Sequence, residues 1–443
     1  MATDPLALMH DVRTHRLDNG LRVLTIHRPH LHRAVTAVYV HVGSRHERPR
    51  HNGLSHFLEH MLFRGSATLP SAALVNDAVE SLGGSMNAAT HSDFTMFELS
   101  APPDALSAAT GILGGILTRP VFADRKVEVG IVREELLEDV DDRGCDISPD
   151  NHARRLVFGK HPLGAPIAGT ARNVTRFTED DLRAHHALHY VAGNMVACAA
   201  GPLSHDELLA AVSASLRGVR AGPLRPAKPY TRRRKRGRRS LVAHSASQTA
   251  LRLAYPCEGL DDPSGSATEM LLRVIDDGMS TRLYRQVCEE RGLAYDVSAD
   301  IERFAEVGVI DVAASVERGS VGAVIEEVLG IFRELAEAGP TLAELDKAKR
   351  RFGFDLDALD DDAQDLCDFY GPSELFGQRR SPDARREELM ALRAEDVRAA
   401  AARVLDPSRV NVVLVGPRAT KHDGDIRSLL RDFRGRWRKV VAA

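Results

Sequence analysis

Two stretches far apart in the chain carry the same pattern, and a chain that repeats itself is expected to fold as two related bodies. Asp181-Leu182-Arg183-Ala184 is followed, twenty residues after its aspartate, by Gly201-Pro202, and Asp396-Val397-Arg398-Ala399 is followed at the same interval by Gly416-Pro417. In each copy a helical segment leads past an asparagine, Asn194 or Asn411, into an apolar strand that ends at the Gly-Pro turn. At 443 residues the chain is also longer than one core usually accommodates. The pattern predicts two domains, 1–222 and 241–443, joined by a linker over 223–240. There Pro223, Pro226 and Pro229 precede Arg232-Arg233-Arg234-Lys235-Arg236-Gly237-Arg238-Arg239, a polar passage unsuited to a core. Helical and strand segments alternate in both halves, so the expected class is α+β: two homologous α/β sandwich domains with mixed or antiparallel sheets.

Only the first half carries concentrated chemistry. In His56-Phe57-Leu58-Glu59-His60 the two imidazoles are four residues apart and stack on one side of a helix, with Glu59 close to both. Neutral imidazole nitrogens bind Zn2+ at about 2.0 to 2.1 Å, and a catalytic site keeps a position open for water. An unligated carboxylate beside that position can take the water's proton as it attacks a carbonyl. The order of residues is the inverted form, H-x-x-E-H, of the better-known H-E-x-x-H arrangement. The competing explanation is a His-rich, partly exposed helix face.

Two ligands do not complete a catalytic zinc site. The best source of a third is the stretch Glu128 to Glu138, where apolar residues at 129, 132, 136 and 140 predict a helix with one buried stripe and Glu135 beside it. Without the histidine motif these acidic residues would be read as solvated surface.

With these motifs the chain resembles the inverzincin zinc peptidases, the pitrilysin or insulinase superfamily, in the short form typified by mitochondrial processing peptidase. The resemblance covers Gly53-Leu54-Ser55-His56-Phe57-Leu58-Glu59-His60-Met61-Leu62-Phe63-Arg64-Gly65, the opening strand and Asn-Gly turn at 16–23, and the strand at 38–44. It implies His56, His60 and Glu135 as zinc ligands, with Glu135 preferred over Glu134 because E-V-x-x-V-x-x-E is matched by Glu128, Val129, Val132 and Glu135. It implies Glu59 as the catalytic base, and Glu128 and Asp142 as carboxylates supporting the ligands. It also implies that Gly83-Gly84-Ser85-Met86-Asn87-Ala88-Ala89-Thr90 leads into an edge strand that pairs with substrate through Asn87, Ala88 and Ala89. From glycine chemistry alone, a turn entering an ordinary strand is an equal reading. His41 and His91 are expected at the surface or behind the ligands. Phe97 stands where many relatives have tyrosine.

The second half lacks H-x-x-E-H after Leu251-Arg252-Leu253-Ala254-Tyr255, so a single zinc site is expected. Its likeness to the family's substrate-positioning region points to Tyr295, while the arginine usually found seven residues earlier is Cys288 here, leaving Arg282, Arg285 or a residue from a partner to supply a cation.

The formal net charge of −3 and the lack of aromatics within the basic run argue against nucleic acid and for a solvated linker. Five dispersed cysteines without a C-x-x-C pair fit a reducing compartment. The opening Met1-Ala2-Thr3-Asp4-Pro5 has no basic segment followed by an apolar core, and no stretch is apolar enough to span a bilayer, so a cytoplasmic protein with no membrane contact is expected. The expected activity is zinc-dependent endopeptidase action on peptides or unfolded polypeptides, including removal of a leader peptide. The resemblance adds a homodimer, or a heterodimer with a homologous subunit. The alternative is a noncatalytic, chaperone-like subunit that binds extended peptides.

Overall fold

The computed structural model describes residues 11–231 and 236–442; the basic run at 232–235 and the opening residues 1–5 lie outside them. Among the described residues two sheets form. The first contains β1 (Val12–Arg16), β2 (Arg22–His27), β3 (Ala34–Val40), β4 (Ser85–Thr90), β5 (Thr95–Ala101) and β6 (Met195–Gly201), in the order β1-β2-β6-β3-β5-β4. The second contains β7 (Arg239–Ala243), β8 (Thr249–Cys257), β9 (Ala294–Arg303), β10 (Gly308–Val316) and β11 (Asn411–Gly416), in the order β7-β11-β8-β10-β9. With β1 set aside the two orders coincide. In each sheet the last strand enters between the first two, parallel to one and antiparallel to the other.

The repeated residues have matching duties. A Cβ on Gly201 would stand 2.8 Å from the Cβ of Ala34, and one on Gly416 2.7 Å from the Cα of Thr249, so each glycine lets its strand close against the start of a neighbour. Asn194 donates to the carbonyls of His41 and His189, and its Oδ1 accepts from the Arg225 amide. Asn411 likewise donates to the carbonyl of Ala254 and accepts from the Arg238 amide. The two asparagines therefore hold the two ends of the expected linker.

β2, β3 and β6 are covered on both faces, which is why they read as nearly continuous apolar runs. Val23, Val38, Val40, Ala197 and Ala199 pack toward the helices Leu54–Leu62, Leu106–Thr118 and His205–Leu216. The alternate residues Leu24, Ile26, Ala37, Tyr39 and Val196 pack against Leu366, Cys367 and Tyr370 of the helix Ala363–Leu375, which comes from the second half of the sequence. In the second sheet Ala254, Val309, Val413 and Val415 are joined by Ala153, Val157 and Phe158 of the helix Pro149–Phe158, which comes from the first half.

The compact units are therefore discontinuous. Among the described residues, one comprises the chain through Leu136, Ala165–Lys228 and Phe354–Arg385; the other comprises Leu137–Gly164, Pro229–Gly353 and the chain from Arg386. The contiguous division at 1–222 and 241–443 differs from this partition because each half contributes a helix to the other half's sheet. No helix among the described residues is long and apolar enough to cross a membrane.

Polar ties secure the helix Ala363–Leu375 within the first unit. The Tyr39 hydroxyl donates to Asp368 at 2.8 Å, and Arg22 donates to the Glu374 carbonyl at 2.7 Å. A Cβ on Gly371 would lie 2.0 Å from Cε2 of the fully buried Tyr39 ring. Gly371→Ala is expected to destabilise the first unit by about 3 kcal/mol, the collision outweighing alanine's better helix propensity. Urea unfolding checks this, and an unchanged midpoint would mean that the helix is loosely seated.

Candidate metal centre

The helix Leu54–Leu62 buries Phe57, Leu58, Met61 and Leu62 in the core and leaves His56, Glu59 and His60 only partly covered. A buried carboxylate sets its start. Glu47 Oε2 accepts the Gly53 amide at 2.7 Å and Oε1 the Ser55 amide at 2.6 Å, with Asn52 Nδ2 adding a third bond. These donors are the amides a helix leaves without internal partners, and a negative group there also complements the helix dipole. Burial pushes the Glu47 carboxyl upward in pKa, opposed by those amide bonds. Sequence reasoning missed Glu47: it lies six residues before Gly53, outside the usual capping spacing.

The helix Arg125–Glu135 lies alongside, seated by buried Glu128 and Val132. It brings Glu135 Oε1 to 3.4 Å from His56 Nε2 and Glu135 Oε2 to 3.6 Å from His60 Nε2. These separations are long for hydrogen bonds. They are close to the edge, about 3.3 Å, of a tetrahedron with 2.0 to 2.1 Å metal bonds. His56, His60 and Glu135 are the one group among the described residues whose donor atoms converge in this way, all within 4.8 Å, and the set fits a single Zn2+.

Electrostatics favours a cation. Burial, reinforced by the charge of His60, lowers the His56 pKa to about 4, leaving its imidazole neutral and able to ligate. Burial also pulls His60 down, but the bond to Glu128 and the charges of Glu59, Glu128 and Glu135 outweigh it and the net shift is upward. Glu128 Oε1 lies 2.8 Å from His60 Nδ1, and its other oxygen accepts from Arg64 Nε. Glu59 accepts the Thr90 hydroxyl at 2.5 Å. Burial raises the Glu59 pKa, the Thr90 bond and His60 oppose that shift, and the charge of Glu135 adds to it.

Thr90 ends β4, the outer strand of its sheet. Asn87, Ala88 and Ala89 pair on one side with Glu98, Phe97 and Met96 of β5 and have no strand on the other among the described residues. Neither His41 nor His91 joins the metal set: His41 packs edge-on to His46, and His91 stacks on Phe94.

The remaining expected residues belong to the second unit. Asp142 follows Asp141, whose carboxylate accepts the amides of Arg143 and Cys145. Tyr295 is 89% exposed on β9, the outer strand of the second sheet. Arg282 is engaged by both oxygens of Glu344, at 2.7 and 2.8 Å. Burial and the charges of Asp296 and Asp276 raise the Cys288 thiol, the reverse of what an activated nucleophile needs.

The chain is similar to known proteins over most of its length. Residues 22–171 match the model for insulinase (peptidase family M16), and residues 176–352 match that for the peptidase M16 inactive domain. An uncharacterized zinc protease of Streptomyces coelicolor is 32% identical over 416 residues, covering 92% of this chain and 90% of its own. One of Mycobacterium tuberculosis is 32% identical over 427 residues, covering 94% and 96%. Among solved structures, a peptidase M16 inactive domain from Pseudomonas fluorescens superposes with a TM-score of 0.84 at 22% identity over 92% of this chain and 98% of its own. A protease from Helicobacter pylori gives 0.85 at 17% identity over 93% and 100%.

Proposed function

Because this chain belongs to the insulinase (M16) family of zinc peptidases, we propose that it is an endopeptidase that cleaves within extended peptide segments laid along the free edge of β4. The observation that carries this reading is the Thr90 to Glu59 bond, which ties that open edge to a carboxylate beside the metal ligands. When bound by His56, His60 and Glu135, zinc supplies Lewis acidity toward a scissile carbonyl and a water. Glu59 accepts the proton of the attacking water and returns it to the leaving amine, held in place by the Thr90 hydroxyl. Asn87, Ala88 and Ala89 offer backbone groups to the substrate. By the family likeness Tyr295, exposed on β9, is a further residue for substrate contact, whereas the bond to Glu344 occupies the Arg282 guanidinium.

Of the two carboxylates expected to support the ligands, Glu128 is bonded to His60 and holds the Nδ1 proton, which presents the Nε2 lone pair. Glu128→Gln is expected to weaken zinc binding about ten- to a hundred-fold. Competition with a chelator of known affinity measures this, and an unaltered affinity would remove the role.

Five free cysteines support a reducing compartment and with it the cytoplasm. The family likeness supports a two-chain assembly, either of identical subunits or with a homologue. Hydrolysis of a diverse peptide library by zinc-quantified protein, with products located by mass spectrometry, tests the activity. Cleavage that stops on chelation and returns with one zinc per chain supports the reading. Restriction to segments before a conserved core would narrow it to leader removal. Absence of cleavage at full zinc occupancy would favour the noncatalytic peptide-binding subunit.

A further inference from the structure

A cleft of about 560 Å³ opens in the first unit beside the residues that lead into the metal helix Leu54–Leu62. Three arginines line it: Arg50 from one wall, and Arg172 and Arg176 from the other. The side chains of the three make no hydrogen bond or close ion pair among the described residues, and only the Arg50 charge acts on a neighbouring carboxylate, Asp181. The carboxylate in the cleft, Asp181, accepts from the Thr178 amide and has His51 Nε2 at 3.7 Å; the Thr178 bond, and after it the charges of His51 and Arg50, hold it below the usual carboxylate range. Three arginines against one carboxylate leave the lining of this cleft with an excess of positive charge in a chain whose formal net charge is −3.

The walls are built rather than adventitious. Asn173 Nδ2 donates to the carbonyls of Pro49 and Asn52, cross-linking the two walls. Behind them, a Cβ on Gly53 would lie 2.6 Å from the Ala168 carbonyl oxygen and one on Gly169 2.4 Å from that of Asn52, so only glycines allow the two segments to meet. Phe177 lines the cleft and packs on Phe57 of the metal helix, with ring centroids 5.8 Å apart. Its carbonyl accepts from Arg125, the first residue of the helix that carries Glu135, at 2.7 Å. One segment therefore touches the cleft and both ligand-bearing helices.

We propose that this cleft binds an oxyanion, a phosphate or carboxylate group, gripped by Arg50, Arg172 and Arg176, and that occupancy stiffens both helices of the metal centre. The planar guanidinium fork matches either group bidentately, and such charge-assisted bonds are the stronger kind. Binding of this kind does not depend on peptide cleavage, so its failure and the failure of the peptidase activity are separate results.

The test is calorimetric titration of the zinc-loaded full-length protein with inorganic phosphate and, separately, with a hexaglutamate peptide at constant ionic strength. The Arg172→Ala/Arg176→Ala variant is compared, with Arg50→Gln as a second; all three side chains are exposed and bond to nothing that a fold would lose. At least one probe should saturate the wild type, and the double variant should bind it roughly a hundred-fold more weakly. Binding of phosphate alone identifies a phosphate group as the ligand, and binding of the peptide alone identifies an acidic polypeptide segment. Hydrogen exchange should slow at 49–62 and 125–135 when the probe is added to the wild type and not to the variant. No saturable binding of either probe overturns the proposal, as does equal binding by the variants, which would place the anion outside this cleft. Unchanged exchange in both helices overturns the coupling.

Discussion

Glu59→Gln is expected to keep its zinc and lose its reaction. The amide has the shape of the carboxylate and its oxygen can still accept the Thr90 hydroxyl, so neither helix nor ligands need move. What disappears is the acceptor for the proton of the attacking water. Positioned acid–base groups contribute about 10²- to 10⁴-fold to such rates, so kcat should fall by that factor with KM little changed. Zinc per chain, measured by elemental analysis, should equal that of the wild type. Substantial turnover in the zinc-replete variant would sink the base role. Zinc loss in the variant would mean instead that Glu59 helps hold the metal.

The second large effect is acid instability of the first unit, from four histidines that the activity does not use. His41, His46, His185 and His189 form one cluster: ring centroids are 4.9 Å apart for His41 and His46, 5.8 Å for His46 and His189, and 4.7 Å for His185 and His189. Burial is the main cause in each case. It lowers His41 and His189 to about 4 and His46 to about 2, and it holds His185 well below the usual range. Cationic neighbours add to it, Arg45 and Arg22 at His41 and Arg225 at His189.

These folded-state values lie below the unfolded value of about 6.5, so between the two the unfolded chain binds more protons. The neutral cluster carries little penalty above about pH 6.5, and stability is lost progressively as pH falls, down to about 4 for His41 and His189 and to about 2 for His46. At pH 5 each of the three histidines with a quoted value costs on the order of 1 to 2 kcal/mol, together a large part of an ordinary domain's 5 to 15 kcal/mol. Urea midpoints of the chelated protein at pH 7.5 and 5, read by hydrogen exchange in the first unit, would show the loss without interference from the metal, and the same comparison in a His56→Gln variant removes the contribution of that lowered histidine. Equal midpoints would mean that the cluster is already charged or hydrated when folded.

Much of the architecture was legible because duplication leaves matched marks. Asn194 with Gly201 and Asn411 with Gly416 pointed to two related strands, and these occupy the same place in sheets of the same order. The helix carrying Glu135 was visible from the apolar period at 129, 132 and 136, which reflects one buried face. Other features left no local trace. Glu47 reaches its helix start from an irregular loop, and the histidine cluster joins positions 41 and 46 to 185 and 189 through tertiary contact alone.

What the sequence determined by itself was therefore local: a helical turn repeats every 3.6 residues, so H-x-x-E-H places two imidazoles and a carboxylate together wherever that helix lies. Tertiary structure decided how that turn was completed. It brought Glu135 to 3.4 Å from His56 and Glu128 to His60. It also covered the first sheet with the helix Ala363–Leu375 and the second with Pro149–Phe158. Hydrophobic burial is non-directional, so an apolar sheet face specifies that it must be covered but not which amphipathic helix will cover it. That choice rests on shape and polar fit, here Gly371 against Tyr39 and Arg22 on Glu374, and these exist only once the chain has folded.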